Sequence, residues 1–140
     1  MTGWLIDTGP LVAYLNPDER DHARVKERLD RFSGALITTG AVITEAMHLV
    51  RRRRHGAALV ARFAASAPLH VEDYCQPPAL LRAADLMERY ADAPMDYADA
   101  TLVLLAEDAG VREVLTLDRR GFSAFRTPGG EPLVNVLDLA

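Results

Sequence analysis

Cysteine is almost missing from this 140-residue chain. Cys75 stands alone, which excludes an internal disulfide and any zinc site built on a cysteine cluster. Lysine is equally scarce: Lys26 is the single one, so the other 15 of the 16 basic residues are arginine. No long apolar run exists either. The longest stretch without a charge, Phe32 to Thr44, is too short to cross a bilayer and carries Thr and Gly throughout. The opening MTGWLID has no basic region ahead of an apolar core, so no signal peptide is expected. A reduced, cytoplasmic compartment with no membrane contact is the expectation. His22, His48, His55 and His70 lack ligand spacing and read as structural or exposed.

A basic excess is also lacking. Twenty acids stand against 16 bases, a net charge of −4, which excludes a generally basic nucleic-acid binder. A polyanionic substrate is not excluded. If four acids share one metal site, the rest of the chain carries 16 acids and 16 bases, and a divalent ion shifts the site itself toward positive.

What is present is a globular composition, 49% hydrophobic and 26% charged, of a length for one domain spanning residues 1–140. Short apolar runs alternate with helical patterns, the signature of a parallel sheet covered by helices. The runs predict strands at Trp4–Ile6, Ala35–Thr38, Leu69–Glu72, Val114–Leu117 and Leu133–Val136. Pro10 suits a first helical position and predicts a short helix to Leu15. Val25, Leu29 and Phe32 form a stripe on a charged helix from about Arg20. Thr39 is placed to cap a helix with Val42, Ile43, Ala46, Leu49 and Val50 on one face. Further helices are expected over Ala57–Ala65, from Pro77-Pro78 with Leu80, Ala84 and Met87 inward, and from an Asp96 cap to Asp108 with Gly110 closing it. The fold class is therefore α/β: a single three-layer domain with a mostly parallel sheet of about five short strands.

Four carboxylates stand where an ordinary protein would place something apolar or small. Asp7 follows Trp4-Leu5-Ile6, and Asp118 follows Val114-Leu115-Thr116-Leu117, so both belong at carboxyl ends of strands, the edge where open α/β sheets bind ligands. Glu45 sits at the margin of its helix's apolar stripe, and the spacing of Met95, Leu102 and Val103 turns Asp99 inward. Each has a plain structural alternative. Asp7 can simply start a turn, Asp118 can cap Arg119-Arg120-Gly121, and Glu45 can reach solvent. Asp96 and Asp99 can be a helix cap and a first-turn acid facing the dipole. As a set, clustered carboxylates repel and resist burial. A cation removes that conflict, and oxygen-only ligands select Mg²⁺ or Mn²⁺. Such an ion activates water and neutralises charge on a phosphoryl group, which suits phosphodiester hydrolysis.

The segments LIDTGPLVAYL, ITEAMHLV, PMDYADATLVLLAE and VLTLDRRGFSAFR follow one another from Leu5 to Arg126. In this order the chain resembles the PIN-domain nucleases, and within them the VapC-type toxins of bacterial toxin–antitoxin pairs. The resemblance implies a catalytic and metal-binding set of Asp7, Glu45, Asp99 and Asp118. Asp7 and Asp99 would be the firmest ligands, Asp118 would complete the site, and Glu45 would ligate or orient the attacking water. Thr8, Asp96 and Thr116 match supporting positions. Gly121 departs from the pattern, since related toxins often show Asp or His there. The resemblance further implies Mg²⁺- or Mn²⁺-dependent cleavage of RNA to a 5′-phosphate and a 3′-hydroxyl, inhibition by a cognate antitoxin protein, and a homodimer.

For contacts with RNA phosphates, Arg119 and Arg120 adjoin Asp118, and Arg51 and Arg52 open the basic run Arg51–Arg54. That run also reads as a solvated helix end. Trp4 reads as core. Three rivals remain. The string Asp7-Thr8-Gly9 also opens the active-site loop of aspartic proteases, which are mostly β. A phosphate-accepting receiver domain would be expected to keep a lysine near the final strands, where this chain has none. A non-catalytic PIN-like module acting through a protein partner would need no metal.

Overall fold

In the computed structural model, which describes residues 2–138, five parallel strands form one sheet with helices on both faces. The strands are β1 (Gly3–Ile6), β2 (Ala35–Thr39), β3 (His70–Glu72), β4 (Glu113–Leu115) and β5 (Val134–Asn135). Their spatial order is β3-β2-β1-β4-β5. β1 is central, with Leu5 opposite both Ile37 of β2 and Val114 of β4. The chain moves outward from β1 to β2 and β3, then returns to the other side of β1 as β4. The order therefore reverses between β1 and β4, and a crevice opens at their carboxyl ends.

Alternation along the strands divides the core in two. Leu5 and Val114 point to one face, where they meet α5 (Pro77–Arg89), α6 (Tyr97–Ala109) and the aromatic pair Phe122 and Phe125. Trp4, Ile6 and Leu115 point to the other, against α1 (Thr8–Leu15), α2 (His22–Asp30) and α4 (Gly56–Ser66). The helix α3 (Gly40–Leu49) serves both, with Val42 on the first core and Ala46 on the second. α6 is buried along most of its length, from Ala100 through Ala106, so its position fixes Asp99 firmly. Gly110 ends it at φ +68°, a left-handed cap that glycine adopts without strain.

The expected elements are present, with shifted ends and two rotated faces. α1 begins at Thr8 rather than Pro10, because Asp7 caps it. Pro10 still lies in the first turn, where its missing N–H costs nothing. β4 stops at Leu115 instead of Leu117, and β5 is shorter than Leu133–Val136, which continues as a single 3-10 turn, Val136–Asp138. In α5 the buried residues are Ala83 and Leu86, while Leu80 and Ala84 are exposed and Met87 is half-buried. The apolar residues of α5 come in adjacent pairs, so two faces compete, and the fit against α6 selects one. Leu49 of α3 is likewise exposed rather than inward. Thr39 caps α3 as expected, accepting the Val42 N–H.

The phase of α5 has a direct energetic consequence. Leu86→Ala should destabilise the protein by about 2–5 kcal/mol, since it empties a filled core position. Leu81→Ala, at a residue 72% exposed, should change stability by no more than about 0.5 kcal/mol. Urea unfolding of the two variants measures both.

Candidate active site at the carboxyl edge

Asp7 leaves β1 with its backbone N–H still donating to Leu115 O at 3.0 Å, so the strand pairing carries the residue to the crevice. Its carboxylate is buried, yet both oxygens are engaged. Oδ1 accepts the Thr8 N–H at 2.8 Å, and Oδ2 accepts the Thr116 hydroxyl at 2.8 Å. Thr116 is buried and accepts in turn the Asp118 N–H at 3.0 Å. One hydroxyl thus joins the first acid to the backbone of the last.

Asp118 is exposed and caps the short helix α7 (Arg119–Ala124), with Oδ1 accepting the Gly121 N–H at 3.1 Å. A Cβ at Gly121 would collide with Asp118 Oδ2, so the departure from the family pattern at Gly121 makes room for this carboxylate. Asp96 and Asp99 form a reciprocal cap at the start of α6. Asp99 N–H donates to Asp96 Oδ1 at 2.8 Å, and Asp96 N–H donates to Asp99 Oδ2 at 3.2 Å. Glu45, half-buried in the middle of α3, has no hydrogen-bond partner among the described residues. The capping alternatives for Asp96, Asp99 and Asp118 are therefore real, but they do not remove these side chains from the crevice.

Asp7, Thr8, Glu45, Asp96, Asp99 and Asp118 all line one open cleft of about 440 Å³. Pro94 and Leu117 line it too; neither has a side-chain donor or acceptor that would mark it in the sequence. Burial pushes the Asp7 carboxyl up to about 6, with the charges of Glu45 and Asp96 adding to the rise and the Thr116 and Thr8 hydrogen bonds opposing it. Burial, followed by the charges of Asp96, Asp7 and Asp118, pushes Asp99 up to about 8. Asp7 and Asp99 are both raised, first because burial removes their hydration and then because other carboxylates stand close by.

The donor set is all oxygen. Thr8, a residue of the cleft wall, is buried, and its hydroxyl has no partner among the described residues. An unpaired hydroxyl and crowded carboxylates both favour an external cation with its water. Among the described residues, no three Asp, Glu, His or Cys groups are drawn together into a ready-made cage. That placement suits a hard ion held by one or two carboxylates that keeps several waters, and it does not suit a closed structural site.

The basic residues divide. Arg120 lines an adjoining cleft with Asp118 and Gly121, whereas Arg119 pairs with Asp138 at 2.9 Å. Arg51 donates to His48 O at 2.7 Å, and Arg52 is exposed. No described helix is long and apolar enough to cross a membrane.

Residues 4–127 match the PIN domain family. Ribonuclease VapC26 of Mycobacterium tuberculosis is 38% identical over 128 residues, covering 90% of this chain and 94% of that protein. The crystal structure of M. tuberculosis VapC20, a Sarcin-Ricin loop cleaving toxin, superposes with a TM-score of 0.75 at 20% identity, over 82% of this chain and 89% of that one. The latter likeness is one of fold.

Two outcomes follow from this electrostatic arrangement. Folded Asp7 and Asp99 retain protons that the unfolded chain releases near pH 3.8. Stability of the metal-free protein should therefore fall as pH rises from about 4 to about 8, with the folded state binding more protons throughout that window. Thermal unfolding in EDTA should show this slope, and Asp99→Asn should flatten its upper part. Thr116→Val should cost about 1–3 kcal/mol by leaving Asp7 Oδ2 and the Asp118 N–H without their buried partner, as urea unfolding reads it.

Proposed function

The chain belongs to the PIN domain family, and from that premise we propose that it is a divalent-metal-dependent endoribonuclease, using Mg²⁺ or Mn²⁺, and the toxin of a toxin–antitoxin pair. The observation that carries the proposal is that one open cleft is lined by Asp7, Glu45, Asp99 and Asp118, with Asp7 and Asp99 both raised by burial and then by their neighbours' charges. Support for RNA as substrate comes from the likeness to Ribonuclease VapC26.

Asp7 and Asp99 are the residues proposed to hold the ion, with Asp118 completing its surroundings. The ion supplies neutralisation of charge on the phosphoryl group and activation of water. Thr116 keeps Asp7 oriented through its 2.8 Å hydrogen bond. Glu45, lacking an internal partner among the described residues, is free to accept a proton from the attacking water or to orient it. Asp96 holds Asp99 in place through the reciprocal cap, and Arg120, beside Asp118, is placed to meet a neighbouring phosphate. In-line attack would leave a 5′-phosphate and a 3′-hydroxyl. The proposed partners are a cognate antitoxin protein and a second copy of the chain, and the proposed location is the cytoplasm. A non-catalytic binding module is disfavoured because all four acids face the same cleft.

Purified protein incubated with total RNA should cut it in Mg²⁺ or Mn²⁺ and stop in EDTA. Asp7→Asn and Asp99→Asn should each lower the rate by about a hundredfold or more while remaining folded. Cutting that survives both substitutions would place the site elsewhere. Folded protein that binds neither metal nor RNA would favour the binding module.

A further inference from the structure

The acid cleft is the middle of three that share walls. On one side it shares Pro94 and Asp118 with the cleft holding Arg120. On the other it shares Glu45 and Asp96 with a pocket of about 550 Å³ between α3 and α6. The surface of this pocket is mostly apolar, and Ala41, Ala98, Tyr97, His48 and Cys75 line it together with Thr44 and the shared acids. The Tyr97 ring is fixed, because its hydroxyl donates to Tyr74 O at 2.6 Å. At the His48 end, the Arg51 guanidinium is bound to the His48 carbonyl at 2.7 Å. Arg52, next in the chain, is exposed and without an ion pair among the described residues.

Resting on the nuclease reading, we propose that this pocket takes one unpaired nucleobase of the RNA, adjacent to the scissile phosphate, stacked on Tyr97 with its edge toward His48. The sequence of surfaces supports the assignment: an acidic, cation-seeking cleft, then a rigid aromatic pocket, then arginine. It matches the phosphate, base, phosphate order of a single strand. Bases that are unpaired and splayed out stack on aromatic side chains, whereas a duplex keeps them stacked on one another. A fixed ring loses little freedom on stacking. The pocket accordingly makes cleavage sensitive to the base at one position.

The test uses single-stranded RNA oligonucleotides carrying an abasic site at each position around the cut in turn. One adjacent position should lower kcat/KM by about tenfold to a hundredfold, the cost of losing one stacked base. Tyr97→Ala should lower kcat/KM on intact RNA similarly and erase the difference between intact and abasic substrates. Tyr97→Phe, which keeps the ring, should preserve that difference, and His48→Ala should alter which base is preferred there. A second readout needs no cleavage. Cys75, exposed and the chain's single cysteine, should react more slowly with N-ethylmaleimide when intact oligonucleotide is bound, and less so with the abasic one. Abasic sites tolerated everywhere, or a penalty that persists unchanged in Tyr97→Ala, would overturn the proposal. So would Cys75 labelling that RNA never slows but a partner protein does, which would make the pocket a protein-docking face. If the wild type cuts no RNA at all, the nuclease reading fails, and Cys75 protection alone decides the pocket.

Discussion

The hydrogen bond from the Thr116 hydroxyl to Asp7 Oδ2, 2.8 Å long, ties the end of β4 to the end of β1 at the point where the strand order reverses. It satisfies a carboxylate oxygen that would otherwise be buried unpaired, and the same hydroxyl accepts the backbone N–H of Asp118. The crevice is thereby held open by polar contacts rather than filled by side chains. A substitution at Thr116 would disturb two acids at once, although Thr116 is itself neutral.

All of the cleft acids except Glu45, which stands in the middle of α3, are held at helix starts, Asp118 before α7 among them. Asp7 precedes α1, and Asp96 and Asp99 share the first turn of α6. Unpaired N–H groups and the dipole at these termini favour negative charge, so part of the mutual repulsion is offset before any cation binds. What is left is visible in the raised carboxyls of Asp7 and Asp99. The folded chain thus gathers its crowded carboxylates at the carboxyl edge of the sheet, above the two apolar cores.

Much of this was legible in the sequence because the fold and the acids sit on strong local patterns. Asp7 ends an apolar strand, Asp96 starts a helix, and the alternation of runs and helices points to the parallel sheet. The ends of β4 and the face of α5 were not legible. Thr116 and Leu117 prolong an apolar-looking run, yet the threonine hydroxyl is drawn to Asp7, a partner more than a hundred residues away in the chain. In α5, Leu80 and Leu81, then Ala83 and Ala84, offer two equivalent stripes that only packing against α6 separates. At the site, structural and functional readings of Asp99 and Asp118 looked like competitors, but each carboxylate has two oxygens and serves a cap while facing the cleft. The pocket beside Tyr97 could not be seen in sequence at all, since its walls come from segments far apart in the chain.

Trp4, the chain's single tryptophan, is buried in the core on the α1–α2 side of the sheet, stacked on Phe32 with ring centroids 3.8 Å apart and the Arg28 guanidinium 5.1 Å from its ring. The protein therefore carries a built-in optical probe whose emission follows the loss of that packing, and which lies outside every residue lining the three clefts. Fluorescence of the unlabelled chain can thus register its unfolding separately from events at the carboxyl edge.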